Sequence, residues 1–197
     1  SNGMAKVALR IKENRRARLT KFYFTGDTDT PRATAQKALT HRYAGTMAVS
    51  QRDLRKALTH RVWKPLWSWI TGSGTYNHDD LEDDREVIRR LFMDKGYLEA
   101  SVGHPEVKYR GDVKLAATYA IRQGRQFRVG NVSLSGITVF PTNDLAGLLT
   151  LRPGDVASLA AMEQNTDALR NYYFARGYIR ATVRRLISTR TNEPVAD

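Results

Sequence analysis

Apolar and polar residues alternate along residues 7–28 and again along 117–138, the two-residue period of a half-buried strand. The stretches match at a spacing of 110 residues: Ile11 falls on Ile121, Leu19 on Val129, Phe22 on Val132, Phe24 on Leu134 and Gly26 on Gly136. Both glycines stand where a strand must turn. A helical period follows each stretch. Leu54, Ala57 and Leu58 occupy i, i+3 and i+4, and Leu145, Leu148 and Leu149 repeat that spacing 91 residues later. Each set forms one apolar face of a short helix over 50–59 and 142–150, with Ser50 and Thr142 expected as N-caps. Residues 86–102 match 167–183 at a spacing of 81. Before the second of these, Leu159, Met162, Thr166, Leu169 and Tyr173 step by three and four, as one side of a longer helix does. Both copies end in Gly-Tyr, at 96–97 and 177–178. A glycine there takes the left-handed conformation that stops a helix, and Lys95 and Arg176 suit its negative end. Strands are predicted to start at Tyr97 and Tyr178.

Three blocks in one order, twice over, define a duplicated unit. The first copy is the longer, with insertions near 27–48 and 62–74. Val113, Leu115, Ala117, Tyr119 and Ile121 alternate after the turn residues Arg110-Gly111-Asp112, so 98–109 and 113–122 are predicted to form a hairpin. The complete unit is β-α-α-β-β. Its class is α+β, a small sheet with two helices packed on one face.

Composition narrows the chemistry. Hydrophobic residues make up 41% of the chain and charged ones 26%, which is enough apolar material for a folded core. No apolar run reaches the length of a membrane helix, and the opening residues show no apolar h-region. With no cysteine there is no disulfide, thiolate nucleophile or thiolate metal site. His41, His60, His78 and His104 lack metal-ligand spacing. The acidic run 79–84 lacks the alternation and central glycine of a calcium loop; Asp79 or Asp80 is expected as a helix N-cap instead. Gly72-Ser73-Gly74 has no lysine to complete a phosphate loop. No catalytic, cofactor-binding or metal residue is therefore predicted, and no cofactor. The net charge is +12, and residues 1–75 carry 15 Lys and Arg against 4 Asp and Glu. A basic half attracts nucleic acid, lipid headgroups or acidic protein. Trp63, Trp67 and Trp69 either fill the core or, with Arg52, Arg55, Lys56, Arg61 and Lys64 nearby, contact lipid or a partner. An inserted helix over 31–43 starts with Thr30 as cap and Pro31 at its first position.

The order of elements, with a helix ending in Gly-Tyr before a strand, resembles the POTRA domain. POTRA domains belong to the BamA and TamA superfamily of outer-membrane protein assembly factors, the surface antigen family. The resemblance is carried by residues 9–26 and 119–136, by the helices at 50–59 and 142–150, and by the two Gly-Tyr endings. Gly74-Thr75-Tyr76-Asn77 and Arg152-Pro153-Gly154-Asp155, before the second helix, complete it. Gly26-Asp27 and Gly136-Ile137 stand where the family often has Gly-Asn. The resemblance implies tandem modules, each a small three-stranded mixed sheet under two helices. Residues 1–13 would be a cloning remnant (Ser1-Asn2-Gly3) and the last strand of a preceding POTRA domain. Residues 14–123 would be a complete domain, and 124–197 a second one lacking its last strand, which should start near Val195. That would leave an open edge at 179–187, to be filled by strand 5–13 of a neighbouring molecule or by an added peptide. The modules join at 123–125 without a flexible linker, which should restrict their orientation.

By resemblance the chain would be the periplasmic POTRA region of an outer-membrane protein assembly factor. It would act as a non-enzymatic module binding unfolded β-barrel precursors by strand addition. Accessory lipoproteins, chaperones, neighbouring POTRA domains and a membrane barrel would be its partners. The second strand of each module is the expected edge, with Glu99, Ser101, Val102, Arg180, Thr182 and Arg184 as contact residues. The alternatives are a POTRA region of a secretion transporter or division protein, and a basic nucleic-acid-binding module, whose affinity would fall steeply with salt.

Overall fold

The structure, a computed structural model, describes residues 17–26, 47–58, 76–110, 113–189 and 193–197. The predicted strand 5–13, helix 31–43, the three tryptophans and the turn residues Gly111 and Asp112 lie outside these.

Strand β1 (Arg18–Gly26) is followed by α1 (Gln51–Ala57) and α2 (His78–Met93), then by β2 (Ser101–Val102), β3 (Glu106–Tyr109) and β4 (Lys114–Arg122). β4 is the centre of the sheet. β1 pairs with it in parallel, while β2 and β3 pair antiparallel along its other side. The sheet is thus mixed and three strands wide, its second strand being broken into two pieces.

The break in register within β1 follows from its apolar spacing. Leu19, Phe22 and Phe24 are all buried, yet Leu19 and Phe22 are three apart and a regular strand would put them on opposite faces. The pairing slips between Leu19 and Lys21, leaving Thr20 as the extra residue of a bulge. Thr20 Oγ1 donates to Leu115 O at 2.9 Å. Beyond the bulge Phe22 and Phe24 stack on Tyr119, with ring centroids 6.3 and 6.0 Å apart. Tyr119 is fully buried, and its hydroxyl donates to Leu81 O on α2 at 3.1 Å. Burial, with the charges of Asp84 and Glu82, pushes its phenol well above the ordinary range. Leu54 of α1 and Leu81, Ile88 and Phe92 of α2 close the core on this face, each such side chain contributing about 1.5–3 kcal/mol when buried.

Ser50 caps α1 as expected, accepting from Asp53 N at 3.2 Å. The cap of α2 is Asn77, which accepts from Asp79 N at 3.2 Å, and not Asp79 or Asp80. Those carboxylates fall in the first turn, where the positive helix end favours them without any capping bond.

The second module repeats the first in register. It comprises β5 (Arg128–Val129), α3 (Thr142–Ala146), α4 (Leu159–Phe174) and β6 (Val195–Ala196). Helix α4 has the bounds of α2 shifted by the sequence spacing. The parallel pairs Arg128↔Val195 and Val129↔Ala196 are the counterparts of Arg18↔Lys114 and Leu19↔Leu115. Arg18 N donates to Val113 O, and Arg128 N to Pro194 O, at 2.7 and 2.9 Å.

Three expectations are corrected here. Thr142 is the first helical residue and the cap position is Pro141, which has no side-chain acceptor. The strand expected to begin at Tyr97 begins at Ser101, because Tyr97 still belongs to the helix stop, its N–H bonded to Phe92 O at 3.1 Å. The alternating residues 130–138 and 179–187 form no strand. In the register of β5 and β6 Gly130 falls opposite Asp197, residues 131–136 have no ladder partner among the described residues, and alternation without a ladder does not make a strand.

Candidate functional site

In the first module β2 and β3 form the border of the sheet, hydrogen-bonded only to β4 among the described residues. Register decides which backbone groups face outward. Arg110 N donates to Lys114 O at 2.7 Å, and this pair continues the register of Lys108↔Ala116 and Glu106↔Thr118. In an antiparallel ladder hydrogen-bonded pairs alternate with non-bonded ones. Glu106, Lys108 and Arg110 therefore point their N–H and C=O at β4, whereas Val107 and Tyr109 point theirs away. The same reasoning on β2 starts from Gly103 N, which donates to Ala120 O at 2.8 Å. It turns Ser101 inward and Val102 outward.

Between the two pieces, Gly103, His104 and Pro105 face only Tyr119 and Ala120, so one residue bulges. Pro105 has no N–H to offer. A bulge, a proline and alternating charge at Glu106 and Lys108 are devices that keep an edge from pairing along its whole length. The bulge is held down from α2. His104 Nδ1 lies 3.0 Å from Glu82 Oε1, and Arg85 reaches Glu82 at 3.3 Å. The His104 hydrogen bond, with its charge and that of Arg85, holds the Glu82 carboxyl below the ordinary value despite some desolvation. The continuous outward-facing run is thus β3, flanked by the exposed ring of Tyr109, 74% accessible. Arg110 lies beside it with its guanidinium 5.5 Å from the Tyr23 ring.

Of the residues chosen from sequence, Glu99 sits in the turn before β2, within 4.0 Å of Arg125. Ser101 is committed to β4, and Val102 faces outward while packing against the core. Arg180, Thr182 and Arg184 are exposed on chain that has no ladder. The structure does not bring the two groups together. Val107 and Tyr109 were missed, although counting back from the Arg110-Gly111-Asp112 turn marks them as alternate residues of the hairpin. The contact of His104 with Glu82 spans 22 residues and leaves no local signal.

The modules meet where α2 ends. Phe127 N donates to Gly96 O at 2.8 Å, and Gln126 Nε2 to Lys95 O at 2.9 Å. Asp94 Oδ1 accepts from Ala160 N at 2.9 Å in the first turn of α4, and Arg90 pairs with Glu163. Leu98 packs on Phe127, Val129, Ala157 and Ala196.

The model of the family described as POTRA, surface antigen variable number repeat, matches residues 41–124 and 127–196. The chain belongs to the POTRA family. It is 28% identical over 142 residues to a Treponema pallidum (strain Nichols) protein provisionally named an outer membrane protein assembly factor, covering 70% of this chain and 16% of that one. It is 25% identical over 138 residues to the outer membrane protein assembly factor BamA of Neisseria meningitidis serogroup B (strain MC58), covering 69% and 17%. The chain thus spans about a sixth of the length of these relatives. In fold it is similar to BamA from Haemophilus ducreyi lacking POTRA domains 1–3, with TM-score 0.60, 20% identity, and 91% of this chain and 28% of that one covered. POTRA3-5 of Haemophilus influenzae BamA superposes with TM-score 0.50 at 15% identity, over 96% of this chain and 97% of that one. The α+β class and the mixed sheet expected of POTRA modules are those of the structure.

Proposed function

We propose that this chain is the periplasmic POTRA region of a BamA-like outer-membrane protein assembly factor, and that it holds unfolded β-barrel precursors by adding a strand to β3. The chain acts through its backbone and carries out no chemistry. The observation that carries this reading is the outward set of N–H and C=O groups on Val107 and Tyr109, beside an exposed aromatic ring. Main-chain pairing accepts many client sequences, as a receptor for diverse precursors requires. The bulge at 103–105 limits its strength. Two outward residues offer four hydrogen bonds, worth about 2–6 kcal/mol net. That corresponds to a dissociation constant on the order of tens of micromolar or weaker. Such an edge passes a client on rather than storing it. Accessory lipoproteins, chaperones and a membrane barrel would be the other parties to that transfer.

Val107→Pro tests the reading, because it removes an outward N–H and spares the bonds to β4. The probe is a urea-unfolded outer-membrane β-barrel protein diluted onto the chain, with a photo-crosslinking amino acid in place of Tyr109. Crosslinks should fall several-fold in Val107→Pro while the circular dichroism spectrum stays unchanged. Lys108→Pro, which cuts a ladder bond, should instead disturb the hairpin itself. Undiminished crosslinking in a folded Val107→Pro chain would rule out docking at β3.

A further inference from the structure

The sheet of the first module turns one face to the helices and one away from them. Leu115, Ala117, Tyr119 and Ile121 of β4 share a core with Leu54 of α1 and with Leu81, Ile88 and Phe92 of α2. The residues between them point to the opposite side. Register carries that side across the sheet. Lys114 stands beside Arg18, Ala116 beside Lys21 and Lys108, and Thr118 beside Tyr23 and Glu106. Arg122 continues the row along β4, and Arg110 follows Lys108 at the same parity, opposite Lys114. Arg110 confirms the placement by reaching across β4 to the ring of Tyr23 on β1. Six cations, Arg18, Lys21, Lys108, Arg110, Lys114 and Arg122, thus share one face, and all are exposed. The acid that these strands add to it is Glu106, 3.5 Å from Lys108. The layer on the other side has no such excess: α1 and α2 together carry seven acids against six Lys and Arg. Among these elements the positive charge is concentrated on the face away from the helices.

We propose that this face lies against the surface of an anionic phospholipid bilayer, held by these six cations. Charge complementarity calls for an anionic partner, and the make-up of the face selects among anions. Ala116 and Thr118, in its middle, are buried, and Arg110 covers the ring of Tyr23. What it presents is charged head groups, with no exposed aromatic or large aliphatic side chain among the described residues. A protein partner is held mainly by such anchors at the centre of its interface. Single-stranded nucleic acid stacks its bases on open rings. A bilayer needs neither, because its headgroups move laterally to meet charges at any spacing, and each Lys or Arg near the surface adds to the attraction. The cations are spread over all three strands, as contact with an extended plane requires. The outward backbone groups of β3 lie in the plane of the sheet and are separate from this face, so either can be lost while the other persists.

Co-sedimentation of the 197-residue chain with vesicles tests this. The probes are vesicles of phosphatidylglycerol and phosphatidylcholine in equal parts, and of phosphatidylcholine alone, at about 0.15 M salt. The chain should bind the first and leave the second in solution. Lys21→Glu with Lys114→Glu reverses two charges of the face and should weaken binding at least about tenfold. Arg52→Glu with Arg55→Glu makes the same change in net charge on the exposed side of α1, across the module. It should weaken binding by less than about threefold, because charges beyond a Debye length of about 8 Å are screened. Circular dichroism spectra matching the parent confirm that both variants are folded. Equal losses in the two variants would show that net charge and not this face holds the chain, and would overturn the proposal. Equal binding to both kinds of vesicle would do the same by pointing to apolar contact. Tighter binding, at equal charge concentration, to a polyglutamate peptide or a single-stranded oligonucleotide than to the anionic vesicles would assign the face to an acidic protein or to nucleic acid instead.

Discussion

Gly96→Ala and Gly177→Ala impose the same backbone strain and differ only in what the new methyl meets. Both positions hold φ near +87°, which an L side chain occupies at a cost of about 1–2 kcal/mol. Both gain back about 0.4–1 kcal/mol from a stiffer unfolded chain. At Gly96 the methyl also runs into Val156 Cγ1 and the carbonyl of Phe127, both in the second module. Overfilling a packed site of this kind costs about 1–3 kcal/mol more. Urea unfolding followed by circular dichroism should therefore show Gly96→Ala to be the more damaging by about 1–3 kcal/mol. The excess should depend on Val156. Adding Val156→Ala removes the atom 2.6 Å away and should recover about 1 kcal/mol with Gly96→Ala, while it simply adds to Gly177→Ala. Equal costs for the two glycines, or additivity in both cycles, would refute the packing of the second module against this turn.

Three further outcomes are open to direct measurement. Asn165 is buried and its Oδ1 accepts from both Thr150 N and Thr150 Oγ1, at 2.9 and 2.7 Å; Asn165→Ala should cost about 1–3 kcal/mol in thermal unfolding, and a neutral result would mean that the pair is hydrated. Asp94→Ala removes the acceptor of Ala160 N and should cost about 0.5–2 kcal/mol, seen as faster amide exchange in the first turn of α4; unchanged exchange there would deny the cap. Because the folded-state value of Glu82 lies below the ordinary one, its contribution is present above pH 4.5 and lost as pH falls through the folded value. The melting temperatures of the parent chain and Glu82→Gln should thus differ at neutral pH and converge in acid, and a gap that does not narrow as pH falls would contradict the His104 contact.

The repeat was legible because it rests on positions that local rules govern. Leu54 with Leu58 and Leu145 with Leu149 announce helices by spacing alone, and Gly96 and Gly177 mark helix stops because only glycine takes their φ without strain. The bulge at Thr20 was not anticipated, though the three-residue step from Leu19 to Phe22 encodes it. The strand expected over 130–138 failed for a different reason. Alternation states which face would be buried, but a ladder partner must exist, and Val132 is left 38% exposed. For the candidate site, the second strand was identified as the border, yet outward-facing residues depend on hydrogen-bond parity. Parity is set by the pairing of Arg110 with Lys114, and a bulge shifts it by one residue between β2 and β3. Propensity carries no record of that.

The two modules show which constraints bind and which do not. Arg18↔Lys114 and Arg128↔Val195 share a register although the paired side chains differ in charge, because the parallel ladder uses main-chain groups. Asp84 and Asn165 occupy one buried position with different charge. Glu99 and Arg180 occupy one surface position with opposite charge. A fold specified by backbone pairing, a few apolar positions and one glycine stop leaves its joints free to change. Asp94, Leu98 and Glu99 at the end of α2 can thus hold the second module without being needed for either sheet. The joint between the two modules is carried at positions 94, 98 and 99, whose counterparts in the second module are 175, 179 and 180. Exchanging those three residues between the modules should therefore disturb the joint between them and leave both sheets intact.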